Sequence, residues 1–452
     1  MYQKVNVGMF GLGTVGVGVI NYLRQFYDSS KTGLEIHVSK ICVRDPAKIR
    51  DVNVQRHLTK NPDDILEDPT INVVVEVMGG IEPAGPYIMR ALSNGKHVVT
   101  ANKSLLTHYD DSEMQQRAGE LIRQGKWPKG YCGWHAFLAA LSNKTNIAFE
   151  ASVCGEIPVI EVVSAMPSRR EIRALEGIIN GTSNYLLTRM SQGIAYEIAL
   201  KEAQGKGFAE SDPSLDVDGI DAAQKLAILS TLIFGNRIEL PQIMCDSMKG
   251  ITTQDVRYAQ EFGYVIKPIA KAVRHEGNLL ELRVAPTLLP KSDNLSFVNS
   301  ERNAVSLYFK GRDEPLTLEG LGAGRMPTAR SVVADIVRVV TSPHESRYWI
   351  YNLFTCSPQD YSGLMQMLVS PYYLRLDVDD KPGVLGNVGT IIGANGVNIE
   401  EVRQMQNEKK DGSIPMVLLV GPANELTIIK MIDELQNQSY VKEILKIRRK
   451  PK

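Results

Sequence analysis

Apolar and polar positions change period repeatedly along the 452-residue chain, and those changes predict its elements. Val5 to Phe10 is an apolar, β-branched run that stops at Gly11-Leu12-Gly13-Thr14-Val15-Gly16. Val15, Val19, Ile20 and Leu23 then recur on one helical face, so the pattern predicts a strand, a glycine turn and a helix over about 15–26. Further strands are expected over 34–43, 71–77 and 96–100, with a helix over 86–94 closed by Gly95. The run Ile71-Asn72-Val73-Val74-Val75-Glu76-Val77 is apolar almost throughout, as in a parallel strand buried on both faces. Residues 110–126 read as a polar helix, 127–137 as an aromatic-rich insertion, and 147–153 as another strand.

Beyond that point the rhythm changes. Strands over 174–179, 269–273 and 279–285 mix with helices over 185–204 and 219–234, which predicts a second, α+β region. Gly320-Leu321-Gly322-Ala323-Gly324 opens a helix over 328–341 that is expected to return to the first region. Pro343, Pro358, Ser362-Gly363 and Pro371 mark a linker over 342–371. Strand 372–378, helix 383–394, strands 397–404 and 414–420, helix 426–435 and strand 441–447 then give a βαββαβ order. The expected fold class is α/β: a Rossmann domain over 1–140, completed by about 315–341, an α+β domain over 141–314, and a ferredoxin-like domain over 372–452.

Composition narrows the function classes. Lys+Arg and Asp+Glu are equal at 51 each, so no net charge argues for a nucleic-acid or membrane partner. The five cysteines are scattered without a Cys-x-x-Cys, and no apolar run has membrane length, which leads to the expectation of a reduced, cytoplasmic, soluble protein. Gly11-x-Gly13-x-x-Gly16 between strand and helix is a dinucleotide fingerprint: Gly11 for the turn, Gly13 for the approach of pyrophosphate, Gly16 for helix packing. The cofactor-binding set is Phe10, Gly11, Gly13, Thr14, Val15 and Gly16, with Arg44, Lys103 and Gly322. Arg44 and Lys48 at the end of the second strand suit a 2′-phosphate, which favours NADP; Asp45 leaves NAD open. Lys103 stands just past the carboxyl end of a parallel strand, where such sheets bind ligands.

The densest polar stretch is Glu210 to Lys225, where Glu210, Asp212, Asp216, Asp218 and Asp221 precede a lysine four residues after Asp221. Asp221 and Lys225 share a helical face, and Lys225 lies among Ala222, Ala223, Leu226, Ala227, Ile228 and Leu229. A lysine in a largely buried helix is costly unless paired, and its pKa is open to tuning for proton transfer.

At this point the chain resembles the homoserine dehydrogenases. The resemblance is carried by Gly11 to Gly16, Glu76-Val77-Met78-Gly79-Gly80, Thr100-Ala101-Asn102-Lys103, Glu150-Ala151-Ser152-Val153 with Gly155 and Ile157-Pro158, Asn180 to Tyr185, the Glu210–Lys225 block and Gly322-Ala323-Gly324. The C-terminal stretch, with Asp380 to Leu385 and Gly396 to Ile399, resembles an ACT domain. No aspartokinase portion precedes the first strand, so the likeness is to the monofunctional form. The resemblance implies reversible, NAD(P)-dependent interconversion of L-aspartate 4-semialdehyde and L-homoserine, in threonine and methionine biosynthesis. It implies Lys225 as general acid–base with Lys103 beside it, and Glu210, Asp216, Asp221, Gly181 and Thr182 as substrate contacts. It further implies a sodium site at Glu150, Val153, Gly155 and Ile157, and a threonine effector at Asp380, Gly383, Val384 and Asn398. The resemblance assigns catalysis and dimerisation to the α+β domain over 141–314, and the expected assembly is a homodimer or homotetramer. Rival readings are another amino-acid dehydrogenase and a non-catalytic amino-acid sensor.

Overall fold

The computed structural model describes residues 2–48, 50–108, 136, 139–140, 143–235, 237–342, 364, 367–404 and 412–451. The helix expected over 110–126, most of the insertion over 127–137 and most of the linker over 342–371 lie outside these residues. The chain divides into two compact units, Met1–Ile172 with Gln224–Leu240 and Leu318–Gln359, and Arg173–Ala223 with Pro241–Thr317 and Asp360–Lys452. Helix Ile220–Phe234 begins in the second unit and continues in the first.

The first unit is built on β1 (Gln3–Phe10), β2 (Leu34–Cys42), β3 (Leu58–Thr59), β4 (Val73–Glu76), β5 (His97–Thr100) and β6 (Ile147–Ala148). The strands are all parallel, in the order β3-β2-β1-β4-β5-β6, and the direction of succession reverses between β1 and β4. That reversal opens a crevice at the carboxyl ends of the strands, where doubly wound sheets bind ligands. Phe10 is register partner to Glu76, and Glu76 to Thr100, so the loops after β1, β4 and β5 leave the sheet side by side. Helix Arg325–Thr341 packs on helix Thr14–Gln25, and a Cβ on Gly18 would stand 2.3 Å from the Arg325 carbonyl oxygen. Val7, Met9, Val19, Val75, Val332 and Ile336 fill the core. The strand expected over 147–153 ends at Ala148 and gives way to a 3₁₀ turn, Glu150–Ser152. Its backbone leaves the sheet because Glu150 N–H donates to Asp335 Oδ2 at 2.8 Å and Ser152 N–H to the Phe149 carbonyl.

In the second unit, β7 (Ile172–Ile178), β8 (Met244–Cys245), β9 (Tyr264–Arg274), β10 (Leu280–Pro290) and β11 (Arg302–Phe309) precede β12 (Leu316–Leu321), which carries the chain back toward the first unit. The C-terminal strands are β13 (Val369–Asp379), β14 (Ile399–Gln404), β15 (Ser413–Asn424) and β16 (Val441–Arg449). Helices Val384–Ala394 and Glu425–Gln436 complete the expected βαββαβ order. The helix expected over 185–204 is two, Gly181–Ser191 and Tyr196–Gly205, separated at Gly193, whose φ of +84° ends the first.

The C-terminal strands are not a separate compact body. β16 runs parallel to β10, pairing Thr287 with Arg448 and Leu288 with Arg449, and the order runs β11-β7-β9-β10-β16-β13-β15-β14. Both faces of this end of the sheet are covered. Tyr372, Leu374, Leu376, Met416 and Leu418 face the two C-terminal helices, while Tyr373, Val417, Leu419 and Ile447 pack with Tyr258, Ile266 and Leu288. Among the described residues no helix is long and apolar enough to cross a membrane.

Candidate active site

The glycine turn has the geometry that its spacing predicts. Gly11 has φ +99°, and a Cβ there would stand 2.9 Å from the Val77 carbonyl oxygen. A Cβ on Gly16 would meet the Gly11 carbonyl oxygen at 2.6 Å, so the helix sits directly on the turn. Gly13 is the opposite case: nothing lies within 4 Å of its Cβ position, and no side chain caps the helix that it begins. An open cradle at a bare helix N-terminus fits a pyrophosphate. Phe10 is buried with its ring stacked on Tyr87 at 4.8 Å, so only its backbone faces this loop.

At the end of β2 the Arg44 side chain is exposed, and Asp45 Oδ1 accepts the Ala47 N–H at 2.9 Å in a local turn. Arg50, which sequence reasoning missed, ties this loop to the fingerprint. Its guanidinium donates to the carbonyls of Leu12 at 3.3 Å, Asp45 at 2.9 Å and Lys48 at 2.7 Å.

The loops after β4 and β5 are joined through Glu76. This fully buried carboxylate accepts the Met78 and Gly79 N–H groups at 2.8 and 3.0 Å and the Thr100 hydroxyl at 2.6 Å. Thr100 Oγ1 accepts the Asn102 N–H, and Asn102 Nδ2 donates to the Gly80 carbonyl at 2.6 Å. Asn102 Oδ1 caps the short helix Lys103–Leu106 through the Leu105 N–H at 3.0 Å. Lys103 is therefore presented by a rigid turn. Gln224 Nε2 reaches Ser104 Oγ at 3.5 Å, the long limit of a hydrogen bond, from the helix that carries Lys225. Lys225 itself is buried, 8% exposed, as its apolar company predicts.

The structure sorts the five carboxylates of the Glu210–Asp221 stretch. Asp212 closes its own turn on Ser214 N–H and hydroxyl, at 3.0 and 2.6 Å. Asp218 pairs with Lys249 Nζ and the Ser247 hydroxyl, both at 2.7 Å, which lowers its pKa. Glu210 is exposed on a loop fastened by Thr182 Oγ1 to the Phe208 carbonyl at 2.7 Å. Asp216 and Asp221 alone converge, both on the Asn180 amide, at 2.7 and 2.8 Å. Gly181 follows Asn180 because a Cβ there would stand 2.6 Å from the Glu301 carbonyl oxygen.

Around Glu150 the backbone turns sharply, with Cys154 and Gly155 both at φ +55°. Glu150 accepts the Ile160 and Glu161 N–H groups at 2.8 and 2.7 Å. Burial pushes its carboxyl up to about 8, and the nearby Asp335 adds to this, against the pull of those N–H groups and of Arg338. The carbonyls of Glu150, Gly155 and Ile157 each accept one hydrogen bond, from Val153 N–H, Ser331 hydroxyl and Val159 N–H. Each keeps a second lone pair, so these hard oxygens fit a monovalent cation. In the C-terminal region Gly383, at φ +88°, starts helix Val384–Ala394; Val384 is buried, and the Asn398 carbonyl accepts the Gly421 N–H at 2.8 Å.

A parallel sheet in this order, a glycine fingerprint at its switch point and a helix that presents a carboxylate and a buried lysine one turn apart define an NAD(P)-dependent oxidoreductase. Family models match three parts of the chain: the NAD-binding domain of homoserine dehydrogenase at residues 11–120, the homoserine dehydrogenase domain at 158–337 and the ACT domain at 372–436. The chain belongs to the homoserine dehydrogenase family, whose members are oxidoreductases acting on CH–OH groups. It is 37% identical over 441 residues to the homoserine dehydrogenase of Pseudomonas aeruginosa, covering 96% of each chain. The Bacillus subtilis enzyme is 34% identical over 448 residues, covering 98% of this chain and 97% of that one. The solved homoserine dehydrogenase of Thiobacillus denitrificans superposes with a TM-score of 0.81 at 34% identity, over 99% of both chains.

Proposed function

We propose that the protein interconverts L-aspartate 4-semialdehyde and L-homoserine with NADP in preference to NAD, with Lys225 as the proton donor and acceptor. The buried Lys225, one turn after Asp221, carries this reading. Gly11 to Gly16, Arg44, Lys103 and Gly322 would hold the dinucleotide, which when bound would supply the hydride. As negative charge builds on the carbonyl oxygen, Lys225 stabilises it and gives up a proton; in the oxidative direction it takes the hydroxyl proton back. Lys103 shares the electrostatic task. Glu210 takes the substrate ammonium, Asp216 and Asp221 orient the polar groups, and Gly181 and Thr182 line the remaining side.

The preference for NADP is supported by the exposed Arg44 and by the engagement of Asp45 within its own turn, which withdraws the carboxylate that a ribose diol requires. Glu150, Val153, Gly155 and Ile157 would hold a monovalent cation, sodium. Exchange of sodium for choline at constant ionic strength is expected to lower the thermal midpoint as well as activity; no change in the midpoint rejects the site. Asp380, Gly383, Val384 and Asn398 receive threonine, which inhibits. The assembly is a homodimer or homotetramer, and the setting is cytoplasmic biosynthesis of threonine and methionine.

The direct test is homoserine oxidation with NAD and NADP, each with and without threonine. Lys225→Ala should lose at least about 1,000-fold in kcat while retaining NADP affinity. A kcat near that of the wild type refutes the assignment.

A further inference from the structure

We infer that Asn180 is a positioning residue for the reaction, its side-chain amide setting the two carboxylates of the substrate side. The substrate rests on the function proposed above; the geometry stands apart from it. Asn180 is buried, 4% exposed. Its Nδ2 donates one hydrogen to Asp216 Oδ1 at 2.7 Å and the other to Asp221 Oδ2 at 2.8 Å, so both are spent on carboxylates. Its Oδ1 accepts the Ser183 N–H at 2.8 Å as the N-cap of helix Gly181–Ser191. The three bonds leave no freedom to flip the amide, because only nitrogen can donate to two carboxylates and only oxygen can accept an N–H. Ser183 Oγ also donates to the Asp216 carbonyl at 2.9 Å, so one turn grips both ends of that residue.

Two carboxylates drawn to one nitrogen repel each other, and without the amide they separate. Asp221 lies in the first turn of the helix that carries Lys225 one turn later. Loss of the clamp therefore disturbs the acidic groups around the substrate and the start of the lysine's helix together. A misplacement of about 1 Å in such an arrangement costs roughly 100-fold in rate. An ionised aspartate at 180 retains the cap acceptor but has no hydrogens to give, which separates the clamp from helix capping.

The test uses the full-length protein. Asn180→Asp is expected to lower kcat for homoserine oxidation about 100-fold, with KM for NADP unchanged. Asn180→Ala, which removes cap and clamp, is expected to lose thermal stability as well. A second measurement needs no turnover. The introduced carboxylate faces Asp216 and Asp221, and Asp246 lines the same small cavity as Asn180 and Asp216. At least one carboxyl of this group then has its folded-state pKa raised, and stability that depends on its proton is present at low pH and lost as pH rises. Relative to wild type, Asn180→Asp should gain thermal stability as pH is lowered from neutrality toward the ordinary carboxylate range. A kcat within about twofold of wild type overturns the positioning role whichever way stability moves, and absence of the relative gain overturns the clamp. Should the wild type fail to oxidise homoserine, the proposed function falls, and the stability measurement still decides the clamp.

Discussion

Single residues in this protein show how the same chemical group is put to different uses by what surrounds it. Lys225 and Lys267 are both buried, yet among the described residues Lys267 on β9 donates to neutral acceptors: the Val298 carbonyl, Asn299 Oδ1 at 2.8 Å and Asn184 Oδ1 at 3.5 Å. Burial lowers its pKa to about 8. The unfolded chain, with an ordinary lysine near 10.4, binds more protons between these values, so stability rises as pH climbs through that window. Lys267→Met should remove this rise, which thermal melts between about pH 8 and about pH 10 will show. Arg44 is the converse, an exposed charge for which we propose a role only when NADP is bound. A charge-assisted bond to a phosphate contributes about 1.5–3 kcal/mol, so Arg44→Ala is expected to raise KM for NADP by roughly 10-fold or more and leave that for NAD nearly unchanged. Of these residues Arg44 and Lys225 are legible in the sequence, by their place after a strand and within an apolar helix. The bonds of Asn180 to Asp216 and Asp221, of Arg50 to Leu12 and of Glu76 to Thr100 are not, because only folding brings those residues near.

At the scale of elements, the turns after β4 and β5 act as one structure because Glu76, Thr100 and Asn102 connect them. The C-terminal sheet shows the same principle with charge. Glu425, at the start of its helix, is buried against Tyr372, Lys446 and Arg448, and Arg448 continues to Asp246 Oδ2 at 3.3 Å. Burial opposes the Glu425 charge, but Arg448 and Lys446 outweigh it and lower the carboxyl's pKa. Arg448→Met strands that carboxylate with one cation instead of two and is expected to cost about 3 kcal/mol in denaturant unfolding. Adding Glu425→Gln should recover part of the loss, since the uncompensated charge is then gone; full additivity of the two would contradict the pairing. The helix Thr253–Glu261 meets β13 in a similar way. Asp255 closes a capping box with Thr252, accepts the Tyr373 hydroxyl at 2.8 Å and pairs with Arg375 at 3.0 Å.

For the whole molecule, these contacts make the C-terminal strands part of the second unit rather than an attached module. Removal of residues 369–452 would uncover Tyr258, Ile266 and Leu288, which pack against Tyr373 and Ile447. Such a truncation is expected to be insoluble or to melt well below the intact chain, and a soluble truncated protein with an unchanged midpoint would refute this. Because Arg173–Ala223 and the C-terminal strands share one unit, the threonine binding proposed for the C-terminal region should stabilise that unit cooperatively. At 100 times its Kd the gain is about 2.7 kcal/mol, readable as a single shifted thermal transition. A threonine-induced shift confined to an early, separate transition would argue against a shared unit.

What the sequence determined by itself is what is local and periodic. The fingerprint, the parallel-strand runs, the βαββαβ order and the buried lysine helix all follow from spacing within about twenty residues. Even the double burial of the C-terminal sheet has a trace there, in the unbroken apolar run Ile414 to Val420. Tertiary structure alone decided that Ile147 to Val153 leaves the sheet early, since Asp335 takes the Glu150 N–H from 185 residues away. It alone decided that β16 joins β10, and that of five neighbouring carboxylates two meet on Asn180, 36 and 41 residues earlier in the chain. The physical reason is the same in each case. Hydrophobic burial selects whole faces and leaves a period in the sequence, whereas a hydrogen bond between groups far apart in the chain selects single atoms and leaves none.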